Sequence, residues 1–440
     1  MKKTTRAFKR AVESGSPVYT YANVTFYNND GTSAGSVVLT PEDFRANGNN
    51  YTQSGGSTFP LGVVLSKSVT LTINNLYNQW EGYDWNNTRI NLESVVYPDG
   101  IDGRRLFVDE GMFYTYDARY IQQAIEVVAY DFVETMDTKF LIRNTDGQGH
   151  IIYPTLWDYF VYLCDVELAD RLGIDLSPFP VECHMYSRRI KQERFTNSDF
   201  VLSTIVPDIR ANTTLRDAFK YVAQLAGGNI VVIYDPDPAS NYKIDIIPYE
   251  LEHTETELIT GMTFGDTVNT VYDGGEFGET VTDTLTGDNI SDFNYILLDK
   301  YITPPTMGYN DIVYTGVSIT YPVVNQTDKN TTEYGTKDNM IEIDNVLCTL
   351  KNNPSAADIA RVTSCAENIY NMICNKPIRP FTGVFSNNPI YEFMDNAIVI
   401  DSFGAAYNSF ITEHTMNYLN GSDIKNSTPT PQKNRRVFFN

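Results

Sequence analysis

The spacing of apolar residues changes register several times along the chain, and each change predicts a different element. Ala7 to Glu13 predicts a short helix with Phe8 and Val12 on one face. From Val18 the spacing becomes two: YTYANVTFY, the turn residues Asn28, Asn29, Asp30 and Gly31, then SAGSVVLT, together a hairpin. SKSVTLTIN alternates again, with Val69, Leu71 and Ile73 on one side and Ser68, Thr70 and Thr72 on the other. Turn residues at Asp99, Gly100, Asp102 and Gly103 precede RLFVDEGMFYTYD and the strand-like AIEVVAYD. Residues 17–137 therefore predict an antiparallel barrel or sandwich, preceded by a helical arm at 1–16.

Helical spacing takes over next. TLWDYFVYLCDVELADRLG, opened by Thr155 and Asp158 and closed by Gly173, predicts a helix of several turns. TTLRDAFKYVAQLAGG repeats the signal, with Thr214 and Asp217 at its start, Gly227 at its end, and Leu215, Ala218, Phe219, Val222 and Leu225 as the stripe. NIVVIYD, DPDPAS and YKIDIIPYE complete a helix-plus-hairpin unit, so 138–250 predicts an inserted α+β domain. From 251 to 428 the Thr, Val and Tyr alternation returns. It is interrupted at 354–375 by a helix with Ser355 and Asp358 at its start, Ile359, Val362, Ala366, Ile369 and Ile373 at helical spacing, and Pro377 and Pro380 beyond its end. Residues 429–440 form a polar tail. The fold class is α+β, predominantly β.

Composition narrows the function. The 33 basic and 55 acidic residues give a formal charge of −22, against the basic face that phosphate contacts require. Five widely spaced cysteines (Cys164, Cys183, Cys348, Cys365, Cys374) do not suggest a disulfide framework and fit folding in a reducing cytoplasm. The cationic start lacks an apolar stretch, so it does not predict a secretory signal, and no run of about 18 apolar residues predicts a membrane span.

Candidate chemistry is sparse. The four histidines (His150, His184, His253, His414) fall in no metal-ligand spacing. Neighbouring Cys183 and His184 point apart on an extended chain, and Asp235-Pro236-Asp237 lacks the glycine and distal glutamate of a calcium loop. Neither a nucleophile elbow nor a Gly-rich phosphate loop occurs. We therefore assign no catalytic, cofactor-binding or metal-binding residue. The abundant Tyr and Phe (30 and 23 residues) read first as cross-strand packing, and second as a surface that could stack sugars.

Five segments in order carry a resemblance. RAFKRAVESGSPVYTYANVTFYNNDGT, FPLGVVLSKSVTLTINN (Phe59 to Asn75), the Arg105 to Phe140 segment with its Ala129-Tyr130-Asp131 triplet and Met136-Asp137, TLRDAFKYVAQLAGGNIVVI, and IRPFTGVFSNNPIYEFMDNAIVI with Arg379-Pro380-Phe381 together resemble the tail hub proteins of phages and prophages of Gram-positive bacteria. One departure is Met394-Asp395, where that family has Gly-Asp before the last hydrophobic strand. The resemblance implies two tube-like antiparallel β-barrel domains around the inserted unit. It also implies a homotrimer whose six barrels cap a hexameric tail tube, and partners in a tail tube or distal tail protein above and a spike or fibre below. DNA would pass through the lumen without specific binding. The location implied is the virion tail tip, after synthesis in the bacterial host cytoplasm. A lytic activity is not carried over, so the chain is expected to be structural and not an enzyme. The alternatives are a receptor- or glycan-binding tail-tip module and a cell-wall hydrolase.

Overall fold

The computed structural model describes residues 6–55, 59, 61–101, 103–138, 156–168, 181–184, 214–234, 242–248, 267–271, 280–284, 296–418 and 421–426. Helix α1 (Arg6–Glu13) leads into seven strands: β1 (Val18–Tyr27), β2 (Ser33–Leu39), β3 (Asn50–Ser54), β4 (Lys67–Asn74), β5 (Thr88–Val96), β6 (Leu106–Ile121) and β7 (Ala124–Tyr130). α2 (Leu156–Tyr162), β8 (Val181–His184), α3 (Leu215–Leu225), β9 (Gly228–Tyr234) and β10 (Tyr242–Pro248) follow. The remainder is β11 (Thr267–Val271), β12 (Thr280–Thr284), β13 (Ile296–Leu298), β14 (Tyr301–Met307), β15 (Gly316–Tyr321), β16 (Asn330–Gly335), β17 (Met340–Asp344), α4 (Ala356–Ile373), β18 (Phe381–Phe385), β19 (Asn396–Ile400), β20 (Ala406–Phe410), β21 (Glu413–Asn417) and β22 (Gly421–Asn426).

The alternation in the sequence becomes the two faces of a sheet. In β4 every other residue, Val69, Leu71 and Ile73 among them, is buried, and Ser68, Thr70 and Thr72 are not. The same holds for Ala22, Val24 and Phe26 of β1 and for Ile90 and Leu92 of β5. These side chains meet Tyr51, Phe113, Val127 and Met416 in one apolar cluster, so the sheet curls around its own core. The turn at Asn28–Gly31 closes as its composition demands: Asn28 N donates to Thr32 O at 2.8 Å, and Gly31 takes a φ of +81°.

One sheet holds eleven strands in the order β14-β18-β22-β21-β3-β4-β7-β6-β5-β1-β2. It draws on both β-rich regions of the chain, because β3 pairs antiparallel with β21, Thr52 opposite Thr415. Among the described residues the pairing leaves this sheet open, with edges at β2 and β14, and does not close two separate barrels. Residues 312–378 form a unit of their own, where β15 pairs with β16 and β17 and α4 packs across β15 and β16. Its apolar side chains share the largest core with α2, α3, β9 and β10.

The helices begin where the sequence predicts. Thr214 and Ser355 cap α3 and α4, each closing a reciprocal pair with an aspartate three residues on. The α3 stripe of Leu215, Ala218, Phe219, Val222 and Leu225 is buried in full. Along α4, Val362, Ala366, Ile369 and Ile373 are buried but Ile359 is 40% exposed, because it stands in the first turn, before the strands cover the helix. The third expected helix differs in kind. α2 passes at Leu163–Leu168 into a π-helical turn, and residues 169–173 lie outside the described residues.

Candidate functional site

Among the described residues, no group of three or more His, Cys, Asp or Glu side chains stands close enough to hold a metal ion. Nor is any helix among them long and apolar enough to cross a membrane. Cys164, Cys348, Cys365 and Cys374 are buried free thiols. Cys183 and His184 fall in β8, whereas His150, His253 and Asp235-Pro236-Asp237 lie outside the described residues. His414 is fully buried on β21, its ring between Tyr391 O (3.2 Å) and Ser422 Oγ (3.1 Å), where it packs the sheet.

The prominent surface feature is the sheet face turned away from the core. The pairing registers align one residue from each strand: Ser36, Thr25, Arg89, Tyr114, Tyr130, Ser68, Thr52, Thr415, Asp423, Val384 and Thr303. None of the eleven is buried. The row holds one cation and one anion, and Arg89 stands over the Tyr27 ring at 5.8 Å. Beside it Lys425 and Glu413 pair at 2.6 Å. In a chain of formal charge −22, this band is hydroxyl-rich and close to neutral.

The two edges of the sheet differ. β14 carries Pro304 and Pro305, which remove donors from its ladder, and its register with β18 shifts twice. β2, SAGSVVL, has neither charge nor proline and leaves Val38 62% exposed. Such an edge is unprotected against pairing with another chain.

Buried polar groups fix the seam between the two β regions. Gln53 on β3 donates from Nε2 to Tyr51 Oη (2.6 Å) and accepts from Phe393 N (3.0 Å), a residue 340 positions later. Arg216 on α3 does comparable work for the inserted unit, bonding Asp137 Oδ1 (2.7 Å), Val133 O (3.1 Å) and Val64 O (3.3 Å). Two further residues have structural tasks. Arg379 bonds Asp311 Oδ1 (2.6 Å) and Gly308 O (2.9 Å) and covers the Tyr407 ring at 4.7 Å. Met394 is buried with a φ of +68°, a strained conformation for a non-glycine residue.

Asp131 ends the Ala-Tyr-Asp triplet and caps the 3-10 turn Phe132–Asp137. Its carboxylate accepts from Lys67 N (3.0 Å), Ser66 Oγ (3.1 Å) and Val133 N (3.2 Å). Burial pushes this carboxyl up to about 6, against the pull of those bonds and of the Lys67 charge. A folded-state value above that of the unfolded chain contributes stability at low pH, which is lost as pH rises through about 6. Relative to Asp131→Asn, the wild type should lose about 1–1.5 kcal/mol between pH 5 and about 7.5. Urea midpoints of both proteins across that range check this, and parallel curves would refute it.

No family model matches the chain, and no curated protein matches it. Solved structures similar to it include the tail protein from Neisseria meningitidis MC58, at 10% identity and a TM-score of 0.43, with 93% of this chain and 97% of that one covered. A second is the 43 kDa tail protein of prophage MuSo2 from Shewanella oneidensis, at 9% identity and a TM-score of 0.40, with coverage of 93% and 97%. A third is the Phage P2 baseplate in its activated conformation with Ca, at 10% identity and a TM-score of 0.33, with coverage of 94% and 100%.

Proposed function

We propose that this chain is a structural hub of a phage, prophage or tail-like particle, a homotrimer that caps the tail tube and joins it to a spike or fibre. The observation that carries this reading is the open sheet with unlike edges, one of them unblunted. The unblunted β2 edge is left to meet a different surface of the next copy, and such a head-to-tail contact closes into a ring when the rotation permits. The five family-like segments, met in order along the sequence, supply the number of copies.

The domain organisation proposed is an arm at 1–16, β regions at 17–137 and 251–428 placed side by side, the inserted unit at 138–250 and a tail at 429–440. With the near-neutral, hydroxyl-rich sheet face turned to the lumen, the wall offers DNA almost no cation to release counterions against, so the duplex passes without being held. The role is mechanical, and the partners are the tail tube or distal tail protein and the spike or fibre. The site of action is the virion tail tip, after synthesis in the bacterial host cytoplasm.

Light scattering on the purified chain should give about three times the 49.7 kDa of one copy. The double substitution Ser36→Pro and Val38→Lys, which blunts the β2 edge, should shift that mass to one copy with the circular dichroism unchanged. A wild-type monomer at micromolar concentration, or a trimer indifferent to the edge substitutions, contradicts the reading. So does retardation of duplex DNA by the chain at physiological salt.

A further inference from the structure

At one end of the large sheet, the loop after β4 and the tip of the β6–β7 hairpin enclose a polar cleft of about 370 Å³ lined by Asn75, Asn78, Glu81 and Tyr120. We infer that this cleft is a saccharide-binding site, and that its ligand is an uncharged, hydroxyl-rich pyranose with Tyr120 against the apolar side of the ring.

The frame of the cleft is tied internally. Asn75 N donates to Gln123 O (2.8 Å), Asn75 Oδ1 accepts from Trp80 N (3.2 Å), and Trp80 Nε1 donates to Asn74 O (2.8 Å). Asn78 N and Glu81 N bond Asn75 O and Asn78 O within the loop. The facing hairpin turns through Gln122 and Gln123, both at positive φ (38° and 63°) with no glycine to ease it. Positive φ at both central residues is what a two-residue hairpin turn requires, so the tip is held in one geometry.

The side chains are arranged otherwise. Tyr120 is 61% exposed and neighbouring Tyr77 89% exposed. Among the described residues no hydrogen-bond partner is found for the Asn78 amide, the Glu81 carboxylate or the Tyr120 hydroxyl. The cleft therefore presents acceptors, donors and an aromatic face without a cation. Phosphates and carboxylates are repelled by Glu81 and by the net charge, and nearby Arg119 is engaged by Asp117 (3.0 Å) and Glu126 (3.7 Å). A sugar ring matches on both counts, because its hydroxyls both donate and accept while its C–H face seats on an aromatic ring. The volume falls within the range of small-molecule sites.

Saturation-transfer NMR on the full chain with glucose, galactose, rhamnose, N-acetylglucosamine and its β-1,4 disaccharide tests the assignment. At least one sugar should show transfer, strongest at its ring C–H protons. Tyr120→Ala and Glu81→Gln, both at exposed positions, should each weaken it about tenfold. Tyr309→Ala, an exposed tyrosine outside the cleft, should leave it unchanged. Tighter binding of the disaccharide than of N-acetylglucosamine identifies a polymer as the source of the sugar, and equal binding a free monosaccharide. Absence of transfer from every sugar at millimolar concentration, or transfer that survives both substitutions, overturns the site. The oligomeric state is measured separately, so the hub reading and this one fail independently.

Discussion

Phe113→Ala should cost the chain about 3–5 kcal/mol, the range for removing a fully buried ring from a core that cannot collapse into the space. Phe113 has no exposed surface, lies edge-on to Tyr51 at 6.1 Å between centroids, and belongs to the cluster that the curled sheet encloses. Tyr51 is bonded to Gln53, and Gln53 to the backbone of Phe393, so the cavity would open beside the joint between the two β regions. Trp80 and Trp85, two of the three tryptophans, pack in or against the same cluster, so in a Trp157→Phe background tryptophan fluorescence reports on it locally. The urea transition followed by fluorescence should move to lower concentration. A shift of less than about 1 kcal/mol would mean that the core repacks around the missing ring.

Gly335→Ala is the second large effect, and its cause is backbone conformation rather than a cavity. Gly335 has a φ of +90°, and a Cβ there would lie 2.5 Å from Thr315 O, 2.6 Å from Tyr370 Cε2 and 2.9 Å from Gly316 Cα. Two of these atoms belong to backbone, so the strand or helix α4 must shift. Left-handed strain and overpacking together should cost about 2–5 kcal/mol. Tyr370 lies on α4 and packs edge-on against Tyr334 at 5.1 Å, so the damage should appear as loosening of that helix. Faster labelling of the buried thiols Cys365 and Cys374 under native conditions would register it. Labelling as slow as in the wild type would show that the unit absorbs the extra methyl.

Local information made much of this legible from the sequence. The capping pairs at Thr214 and Ser355, the stripe of α3 and the strict alternation of β4 depend on residues a few positions apart, and the structure has them as predicted. Ile359 misled because periodicity identifies a face without saying where along the helix that face becomes covered. The π turn after Tyr162 left no signature in apolar spacing. What the sequence could not convey is pairing at long range. Nothing in NYTQS or EHTMN announces that they are partners, so the two β regions read locally as separate. The proposed sugar cleft escaped for a related reason. Asn75, Asn78 and Glu81 read as ordinary loop residues until the hairpin tip sets Tyr120 beside them.

The β3–β21 joint also sets a clock on synthesis. Ser54 and Glu413, bonded across it at 3.3 Å, are 359 residues apart. At ribosomal speeds of about 5–20 residues per second, β3 waits about 20–70 s for its partner strand. During that interval the finished N-terminal half offers β3 as a bare ladder, with only β4 alongside. The large sheet therefore cannot be complete until β21 has been made, and nascent copies on one message are most prone to wrong pairing in just that interval.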